Sequence, residues 1–597
     1  MPSIKYQIAI PNPLKHQFKI SIDISPVANE ALTISLPNWI PGSYMIRDFA
    51  KHVVALEAHD KDSKLDVNAL SKNRFEVKHN NQPFTVTYLY YAFDLSVRKA
   101  YLDQEFGFFN PAAALFCVDQ QVEHECEVEL IKPESELCQN WLPASGLDGI
   151  NHDDCFAWSN YKANNYIHLT DFPIMFGQLD IESFDVAGVP HYLVTAGKHF
   201  GSLQRAAKDL APLCQYHIDT FGELPSDVNK YLFLTMVTDK GFGGLEHLNS
   251  TALVCSRFDI APDKEPSPLT NDDYITFLSL CSHEYLHTWN VKRLKPREFI
   301  PYSLESEVYT KQLWFYEGMT SYFDDLSLVK TNTISYEKYL EIFAKTLTRI
   351  EKGKGQLRQS VTESSMHTWT KFYQQDEAAP DQITSYYQKG AAIACLTDLM
   401  IKQNTEHKFN LTAAMKQAWQ KFGRNNKGTT QDDLENLFKQ FLSEPQFELF
   451  KHALYGSTKI DLTDALANCG VALKYVTQDN QKHVQGANTT AISKPWLGTL
   501  LAVENESIVV KQVLEDSPAE QAGIAKGDEI IAINNMKVNM ANVEQLISVC
   551  EQSDACIHYF RKDTLYRSSL PKQPSPEFVA QLVIQDPLLI KTWLSDQ

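Results

Sequence analysis

The segment DYITFLSLCSHEYLHTWNV, residues 273 to 291, constrains the fold of this 597-residue chain more than any other feature. It contains the pattern H-E-x-x-H, with His283 and His287 four residues apart. On an α-helix this spacing places two side chains one turn apart on the same face. The apolar stripe in YITFLSL predicts that the helix is buried on one side, which holds both imidazole rings in place.

Two histidines on one helix face can bind one metal ion. Neutral imidazole suits Zn²⁺, and Glu284 projects near the same face, where it can take a proton from a water molecule on the metal. A third histidine six residues after His287 would indicate the metzincin arrangement, but Arg293 occupies that position and Asn290 stands where a glycine is expected. For the motif alone, an amphipathic helix with partly exposed histidines and a solvated glutamate stays an alternative.

A catalytic zinc site of this kind needs a third protein ligand and leaves the fourth position for water. Glu317 is the predicted ligand, because it lies in the aromatic helical segment KQLWFYEGMTSYFDD, where a buried carboxylate is costly unless it binds a cation. Glu305 and Glu307 are rivals in a polar, looped stretch. Asp324, two helical turns after Glu317, is predicted either to orient a metal-bound imidazole or to lie on a solvated face.

The composition indicates a folded protein of several domains, since 597 residues exceed what one hydrophobic core supports. A net charge of -19 argues against nucleic acid or an anionic membrane as the main partner. Eleven scattered cysteines without a C-x-x-C pair predict reduced thiols. We also find no signal peptide and no membrane-spanning apolar run, so a cytoplasmic location is expected.

The predicted secondary structure changes along the chain. Residues 1–190 read as an all-β domain, from strand-like runs such as FKISIDI and FTVTYLYYAF. Residues 191–330 mix helix and strand around the histidine pair, and residues 331–475 have long helical periodicities. A turn-rich stretch at 477–490 precedes a last part, residues 480–597.

Several segments resemble the glycyl aminopeptidase family of PDZ-containing zinc metallopeptidases, which are thermolysin-like gluzincins related to the membrane-alanyl aminopeptidases. The resemblance implies a multidomain α+β chain with an N-terminal β-sandwich-like domain, a thermolysin-like α/β catalytic domain with a helical extension, and a C-terminal PDZ domain. It also implies one Zn²⁺ per chain and removal of small N-terminal residues such as glycine or alanine. The segments that carry it are NWIPGSYMIRDFAKHV, VRKAYLDQEFGFFN, GFGGLEH, HEYLHTWNVKRLKP and LWFYEGMTSYF.

The family resemblance also assigns substrate-binding roles. GGLEH resembles the G-x-M-E-N element, in which an edge strand lines the substrate and a glutamate receives its free amino group, so Gly243, Gly244 and Glu246 are the expected substrate contacts. His247 departs from the asparagine of the wider relatives but agrees with the PDZ-bearing family. Without the resemblance, GFGG is only a glycine turn.

A tyrosine is expected at the substrate carbonyl, because SYYQKGAAIA resembles the Y-x-K-G element. Tyr387 matches the position and would donate to the developing oxyanion, with Tyr386 as its competitor. Zinc would polarise the carbonyl, and Glu284 would move the proton to the leaving amine.

The C-terminal part resembles a PDZ domain through VLEDSPAEQAGIAKGDEIIAINN. Its carboxylate-binding loop would be Trp496, Leu497, Gly498 and Thr499, followed by an edge strand for β-augmentation by a peptide. Thr499 departs from the usual apolar residue, so a packing or homo-oligomerisation role stays open beside peptide binding.

Three functions therefore compete. The first is a zinc aminopeptidase acting on peptides with a free N-terminus. The second is a zinc endopeptidase or another amide hydrolase, which the same chemistry permits. The third is a PDZ-centred binding protein with a decayed metal site, which the intact set of His283, Glu284, His287 and Glu317 argues against.

Overall fold

The computed structural model describes residues 4–25, 31–478, 495–549 and 553–595. The chain forms two compact units. The first consists of Met1–Tyr309, Phe323–Ser335 and Thr412–Leu434, and the second of Thr310–Tyr322, Tyr336–Leu411 and Glu435–Gln597. The turn-rich stretch at 477–490 lies mostly outside the described residues, and the four domain boundaries stay predictions.

The N-terminal part is built from three sheets, which confirms the all-β prediction. Their strand orders are β14-β15-β12-β1-β2-β8-β4-β5, β13-β16-β10-β9 and β11-β3-β7-β6. Residues of β1 alternate between buried and half-buried, as a strand with one face on the core requires. The strands are β1 (Ile4–Asn12), β2 (Gln17–Ile24), β3 (Ala31–Ser35), β4 (Val53–His59), β5 (Lys64–Leu65), β6 (Val67–Ala69), β7 (Arg74–Lys78), β8 (Phe84–Tyr91), β9 (Ala100–Leu102), β10 (Phe106–Phe109), β11 (Cys117–Val118), β12 (Cys126–Leu130), β13 (Leu142–Ser145), β14 (Asp148–Gly149), β15 (Asn160–Ala163) and β16 (Ile174–Gly177), with short helices α1 (Pro111–Ala114) and α2 (Tyr166–Leu169).

A five-stranded sheet of order β17-β18-β19-β21-β20 carries the histidine helix. Strands β18, β19 and β21 are parallel, and β20 is an antiparallel edge strand. All eight residues of β19 are buried, as a central strand covered on both faces requires. Helix α4 packs against α3 and against β20 and β21. The elements are β17 (Asp180–Val186), β18 (Val189–Ala196), α3 (Leu203–Phe221), β19 (Tyr231–Thr238), β20 (Gly243–Glu246), β21 (Ser250–Ser256) and α4 (Asp272–Leu286).

Helices dominate the next part of the chain. Helix α10 is buried from Lys389 to Lys402 and packs against α7 and α13, so it is the central helix of this region. The helices are α5 (Leu313–Tyr316), α6 (Thr320–Lys330), α7 (Tyr336–Glu351), α8 (Val361–Met366), α9 (Ala379–Gln382), α10 (Gln388–Asn404), α11 (Leu411–Ala418), α12 (Gln431–Lys439), α13 (Glu444–Tyr455) and α14 (Thr463–Ala467).

The C-terminal part contains a small sheet of order β23-β24-β25-β27-β28 with its own hydrophobic core, which agrees with the predicted PDZ domain. Strand β22 precedes this domain and pairs antiparallel with β29, which follows it, so the domain is inserted between two paired strands. Trp593 of α17 donates to the hydroxyl of Tyr322 over 3.0 Å. The elements are β22 (Val471–Val476), β23 (Thr499–Glu504), β24 (Ser507–Val513), α15 (Pro518–Gln521), β25 (Glu529–Ile533), β26 (Met536–Lys537), α16 (Val543–Ser548), β27 (Asp554–Arg561), β28 (Thr564–Pro571), β29 (Val579–Ile584) and α17 (Leu589–Leu594).

Within the ranges that the structure describes, none of the helices is both long and apolar enough to cross a membrane.

Candidate active site

Helix α4 brings His283 and His287 together. Its first turn is capped by the side chain of Asn271, which accepts hydrogen bonds from two backbone N–H groups, and two aspartates in that turn complement the helix dipole. The helix ends at Leu286, and the backbone N–H of the C-cap residue His287 donates to the carbonyl of His283 over 3.3 Å. The two ring centroids lie 4.7 Å apart.

Hydrogen bonds that the Nδ1 atoms donate fix the orientation of both imidazole rings. Nδ1 of His283 lies 2.8 Å from Oδ2 of Asp324 on α6, and Nδ1 of His287 lies 2.7 Å from the backbone carbonyl of Asn290. Because a carbonyl only accepts, His287 carries its proton on Nδ1 and keeps a lone pair on Nε2. With its proton on Nδ1, His283 donates to Asp324 in the same way. Both histidines then present the lone pair of Nε2, as zinc-binding histidines do. Asn290 was not identified as an orienting residue, since a backbone carbonyl leaves no signal in the sequence.

Glu317 follows α5 directly and occupies its C-cap position. Its side chain is 3% exposed, whereas Glu305 and Glu307 are exposed and Glu305 pairs with Arg74. One ligand atom from each of His283, His287 and Glu317 lies within 4.8 Å of the others. The nitrogen and oxygen donors of this group fit a zinc ion.

Glu284 lies against the edge strand β20. It is 5% exposed, and a Cβ atom added to Gly244 would lie 2.1 Å from its Oε1 atom. A side chain at position 244 would therefore require the Glu284 carboxylate to move away from the strand. A Cβ added to Gly243, the first residue of β20, would make only van der Waals contacts, at 3.9 Å from Val254 and 4.0 Å from Arg98, so the same steric reason does not apply there.

Glu246, at the end of β20, lies beside Glu284. Ligand atoms of Glu246, Glu284 and His287 lie within 4.8 Å of one another. Gly42 approaches Glu246 from the N-terminal part of the chain: its φ is +86°, and an added Cβ would lie 2.5 and 2.6 Å from the two carboxylate oxygens. This contact was not predicted, although Pro41-Gly42 is a turn signal inside the segment NWIPGSYMIRDFAKHV.

His247 belongs to a buried polar network rather than to the metal group. Its Nδ1 atom lies 3.3 Å from Oδ1 of Asp171, and the other oxygen of Asp171 pairs with Lys292 at 2.7 Å. Burial opposes ionisation of this carboxyl, but Lys292 and His247 hold the pKa of Asp171 well below its usual range. The network joins the end of β20 to the segment that follows α4.

The two neighbouring tyrosines differ in their surroundings. Tyr386 is fully buried and its hydroxyl lies 2.8 Å from Oγ1 of Thr368, and this burial raises its pKa well above the usual value. Tyr387 is half-buried at the N-cap of α10. This difference favours Tyr387 as the residue that reaches a substrate.

The segments that carry Glu317 and Tyr387 touch through two glycines. A Cβ added to Gly318 would lie 2.6 Å from the Cα of Gly390, and one added to Gly390 would lie 2.7 Å from the Cα of Gly318. The two backbones can approach this closely only because neither residue has a side chain.

Within the described residues, the backbone of the loop before β23 is only partly hydrogen-bonded. Its carbonyl groups are used, since Leu497 accepts from Ala519 N–H and Gly498 accepts from Leu514 N–H. Among the described residues, the backbone N–H groups of Leu497 and Gly498 have no hydrogen-bond partner. Gly498 has a φ of +77°, and an added Cβ would lie 2.1 Å from Cβ of Ser517. Two N–H donors beside the edge strand β23 are thus left without an acceptor among the described residues.

Comparisons with known proteins agree with this architecture. The models of the peptidase M61 N-terminal domain, the M61 glycyl aminopeptidase and the PDZ domain match residues 5–178, 276–393 and 488–557. A crystal structure of an aminopeptidase N family protein from Idiomarina loihiensis is 41% identical, with a TM-score of 0.94, and covers 99% of this chain and 100% of that one. An M1 zinc metallopeptidase from Deinococcus radiodurans is 11% identical, with a TM-score of 0.46, over 77% of this chain and 95% of that one. A comparison with curated proteins gave no match.

The predicted family is therefore confirmed over both the N-terminal and the catalytic parts, and the PDZ prediction is confirmed as well. The chain belongs to the M61 glycyl aminopeptidase family and is a metallo-aminopeptidase with a PDZ domain.

Proposed function

We propose that this metallo-aminopeptidase uses one zinc ion and removes small N-terminal residues such as glycine or alanine from peptides. One observation carries the proposal: the buried carboxylate of Glu246 ends an edge strand beside Glu284 and His287. A carboxylate at a fixed place beside the catalytic residues pairs with the charged α-amine of a substrate. It thereby selects the peptide bond nearest to the chain end.

His283, His287 and Glu317 would hold the zinc ion, and the fixed Nδ1 hydrogen bonds of both histidines support this assignment. Bound zinc supplies a Lewis acid for the scissile carbonyl and an activated water molecule. The other buried group, Glu246, Glu284 and His287, contains only one imidazole and suits proton transfer and amine binding better than a structural metal ligand set.

Glu284 is the proposed general base. Its Oε1 atom faces β20, so the carboxylate lies next to the strand along which the peptide would pair. A substrate strand in that position places its carbonyl carbon near Glu284, which would take a proton from the attacking water molecule and pass it to the leaving amine as the C–N bond breaks. The hydroxyl of Tyr387 would donate a hydrogen bond to the oxyanion that develops on the carbonyl.

The preference for small residues is supported by the loop at Gly42. This loop packs so closely against Glu246 that a single added carbon would collide with both carboxylate oxygens. A substrate with its amine at Glu246 therefore meets the backbone of this loop, which limits the room for its first side chain.

The test compares glycyl and alanyl amides with the same compounds after acetylation of the amine. We expect zinc-dependent hydrolysis of the free amines and its loss after acetylation. Equal cleavage of the acetylated compounds would instead indicate an endopeptidase or a general amide hydrolase.

A second, separate function is proposed for the PDZ domain, namely binding of a peptide C-terminus. The N–H groups of Leu497 and Gly498, which no described residue accepts from, lie next to the edge strand β23 and support it. A fluorescent peptide with a free C-terminus should bind, and its amidated form should not; equal binding of both forms would contradict the assignment.

The thiols support a reducing location such as the cytoplasm. All cysteines in the described ranges are free, and nine of them are buried. Buried free thiols are typical of proteins that stay in a reducing compartment.

A further inference from the structure

A cavity of about 640 Å³ lies in the first unit, next to the segment that follows α4. Its walls combine this segment, Lys292 to Lys295, with the loop after α3 and with residues around Trp419. A volume of this size is typical of sites for small organic molecules. Neither the proposed catalytic step nor the PDZ proposal uses this cavity.

Basic side chains dominate the charge of the cavity wall. Besides histidine, four cations and three carboxylates line it, and each carboxylate is engaged by one cation. Two of the three ion pairs use both carboxylate oxygens, which fixes the guanidinium groups in place. The three pairs are Lys292–Asp171 at 2.7 Å, Arg293–Asp227 at 2.7 Å and Arg424–Glu223 at 2.6 Å.

Lys295 is the cation that remains. In the described ranges, no carboxylate forms an ion pair with its ammonium group. Its Nζ atom lies over the ring of Tyr302, 5.0 Å from the ring centroid. Its backbone is anchored, because the carbonyl of Lys295 accepts from the N–H of Thr429 over 2.9 Å. Lys295 thus has an anchored backbone and lines the cavity, and no carboxylate of the described residues forms an ion pair with its side chain.

Lys295 is half-buried, and withdrawing a cation from water without a counter-charge beside it is costly. Burial, together with the positive charges of Lys292 and Arg293, lowers the pKa of Lys295 to about 7, although Asp171 acts in the opposite direction. An anion beside Nζ would neutralise this excess of positive charge. The aromatic rings of Tyr302 and Trp419 in the same wall offer apolar area to the remainder of a ligand.

We propose that this cavity binds a small organic anion, with its carboxylate or phosphate group on Lys295 and its apolar part against the aromatic wall. Lys292, Arg293 and Arg424 contribute positive potential but stay paired with their own carboxylates. The carboxylate and the phosphate share the same chemistry here, namely oxygen atoms that accept from an ammonium group.

Isothermal titration of the full-length protein with three probes tests the proposal. We expect benzoate and phenyl phosphate to bind and benzamide, which has a similar shape without charge, to bind at least tenfold more weakly. The stronger of the two anions identifies the natural head group. Equal affinity for benzamide, or no binding of either anion at millimolar concentration, would overturn the proposal.

Variants then locate the site. Lys295→Met should reduce the affinity for the anion by about tenfold or more, because a charge-assisted hydrogen bond is lost. Lys295→Arg keeps the positive charge and should retain most of the affinity. Lys408→Met is the matched control, since Lys408 is exposed and far along the chain from this wall. A folded Lys295→Met protein, shown by an unchanged thermal unfolding curve, that binds benzoate like the wild type would contradict the site.

Discussion

Strands β20 and β23 both lie at the edge of a sheet, but the chain surrounds them with opposite chemistry. Beside β20 stand the buried carboxylates of Glu246 and Glu284. Beside β23 lie the backbone N–H groups of Leu497 and Gly498, which have no partner in the part of the chain that the structure describes. An edge strand can pair with any extended peptide, so these neighbours decide which end of the peptide is recognised.

The difference indicates how one chain can recognise both ends of a peptide. Negative charge beside β20 suits an α-amine, and N–H donors beside β23 suit a carboxylate. Glycine occurs in both places, but for different reasons. Gly244 leaves room for the carboxylate of Glu284, whereas Gly498 adopts a φ of +77°, which residues with a side chain rarely adopt.

The largest effect is expected from Glu284→Gln, which removes the proposed base and keeps the shape of the side chain. We expect kcat to fall by about 10²- to 10⁴-fold, because general-base catalysis contributes that much. Metal content, measured by mass spectrometry, should stay at the wild-type level. Glu448→Gln, at an exposed position, is the control and should change neither quantity. A Glu284→Gln enzyme with normal turnover would show that the carboxylate beside β20 is not the general base.

Tyr387→Phe should have the next largest effect. Loss of one oxyanion donor is expected to reduce kcat by about 10²- to 10³-fold, with little change in KM. Tyr386→Phe is the matched control: it loses the contact with Thr368 and should lower thermal stability rather than kcat. If Tyr386→Phe reduced kcat and Tyr387→Phe did not, the roles of the two residues would be reversed.

Glu246→Gln tests the amine-binding side of the comparison. Replacing a charged hydrogen-bond acceptor by a neutral one should weaken substrate binding by about 10- to 100-fold. We therefore expect KM for glycyl amides to rise. The ratio of kcat/KM for free amides to kcat/KM for acetylated amides should fall. An unchanged ratio between free and acetylated substrates would show that Glu246 does not bind the amine.

Gly498→Ala tests the carboxylate-binding side and should leave catalysis nearly unchanged. The added methyl group would collide with Ser517 and would force a residue with a side chain into the left-handed region. Binding of a peptide with a free C-terminus should disappear, while kcat/KM on a glycyl amide should stay within about twofold, since the mutation is confined to the PDZ loop. A large loss of hydrolysis would instead show that the PDZ loop takes part in catalysis.

The sequence predicted those parts of the site whose residues follow one another along the chain. Helix α4 was predicted from its apolar stripe, and the histidine spacing gave the pair of rings, because both depend on local periodicity. Glu317 was predicted from its aromatic surroundings, and it is in fact almost completely buried.

Contacts between distant segments could not be predicted in the same way. The approach of Gly42 to Glu246 joins residues about two hundred positions apart, and the pairing of β22 with β29 spans the whole PDZ domain. Such contacts depend on tertiary packing, which leaves no periodic signal in one sequence. The pair of Lys292 with Asp171 belongs to the same class, since neither residue stands out in its own segment.

The central claim is that His283, His287 and Glu317 together hold a single metal ion. A crystal of protein purified without added metal, measured on both sides of the zinc absorption edge, tests it most directly. We expect one anomalous peak about 2.0–2.2 Å from Nε2 of each histidine and from a carboxylate oxygen of Glu317. A peak at the group of Glu246, Glu284 and His287, or the absence of any peak at the three proposed ligands in active protein, would contradict the account.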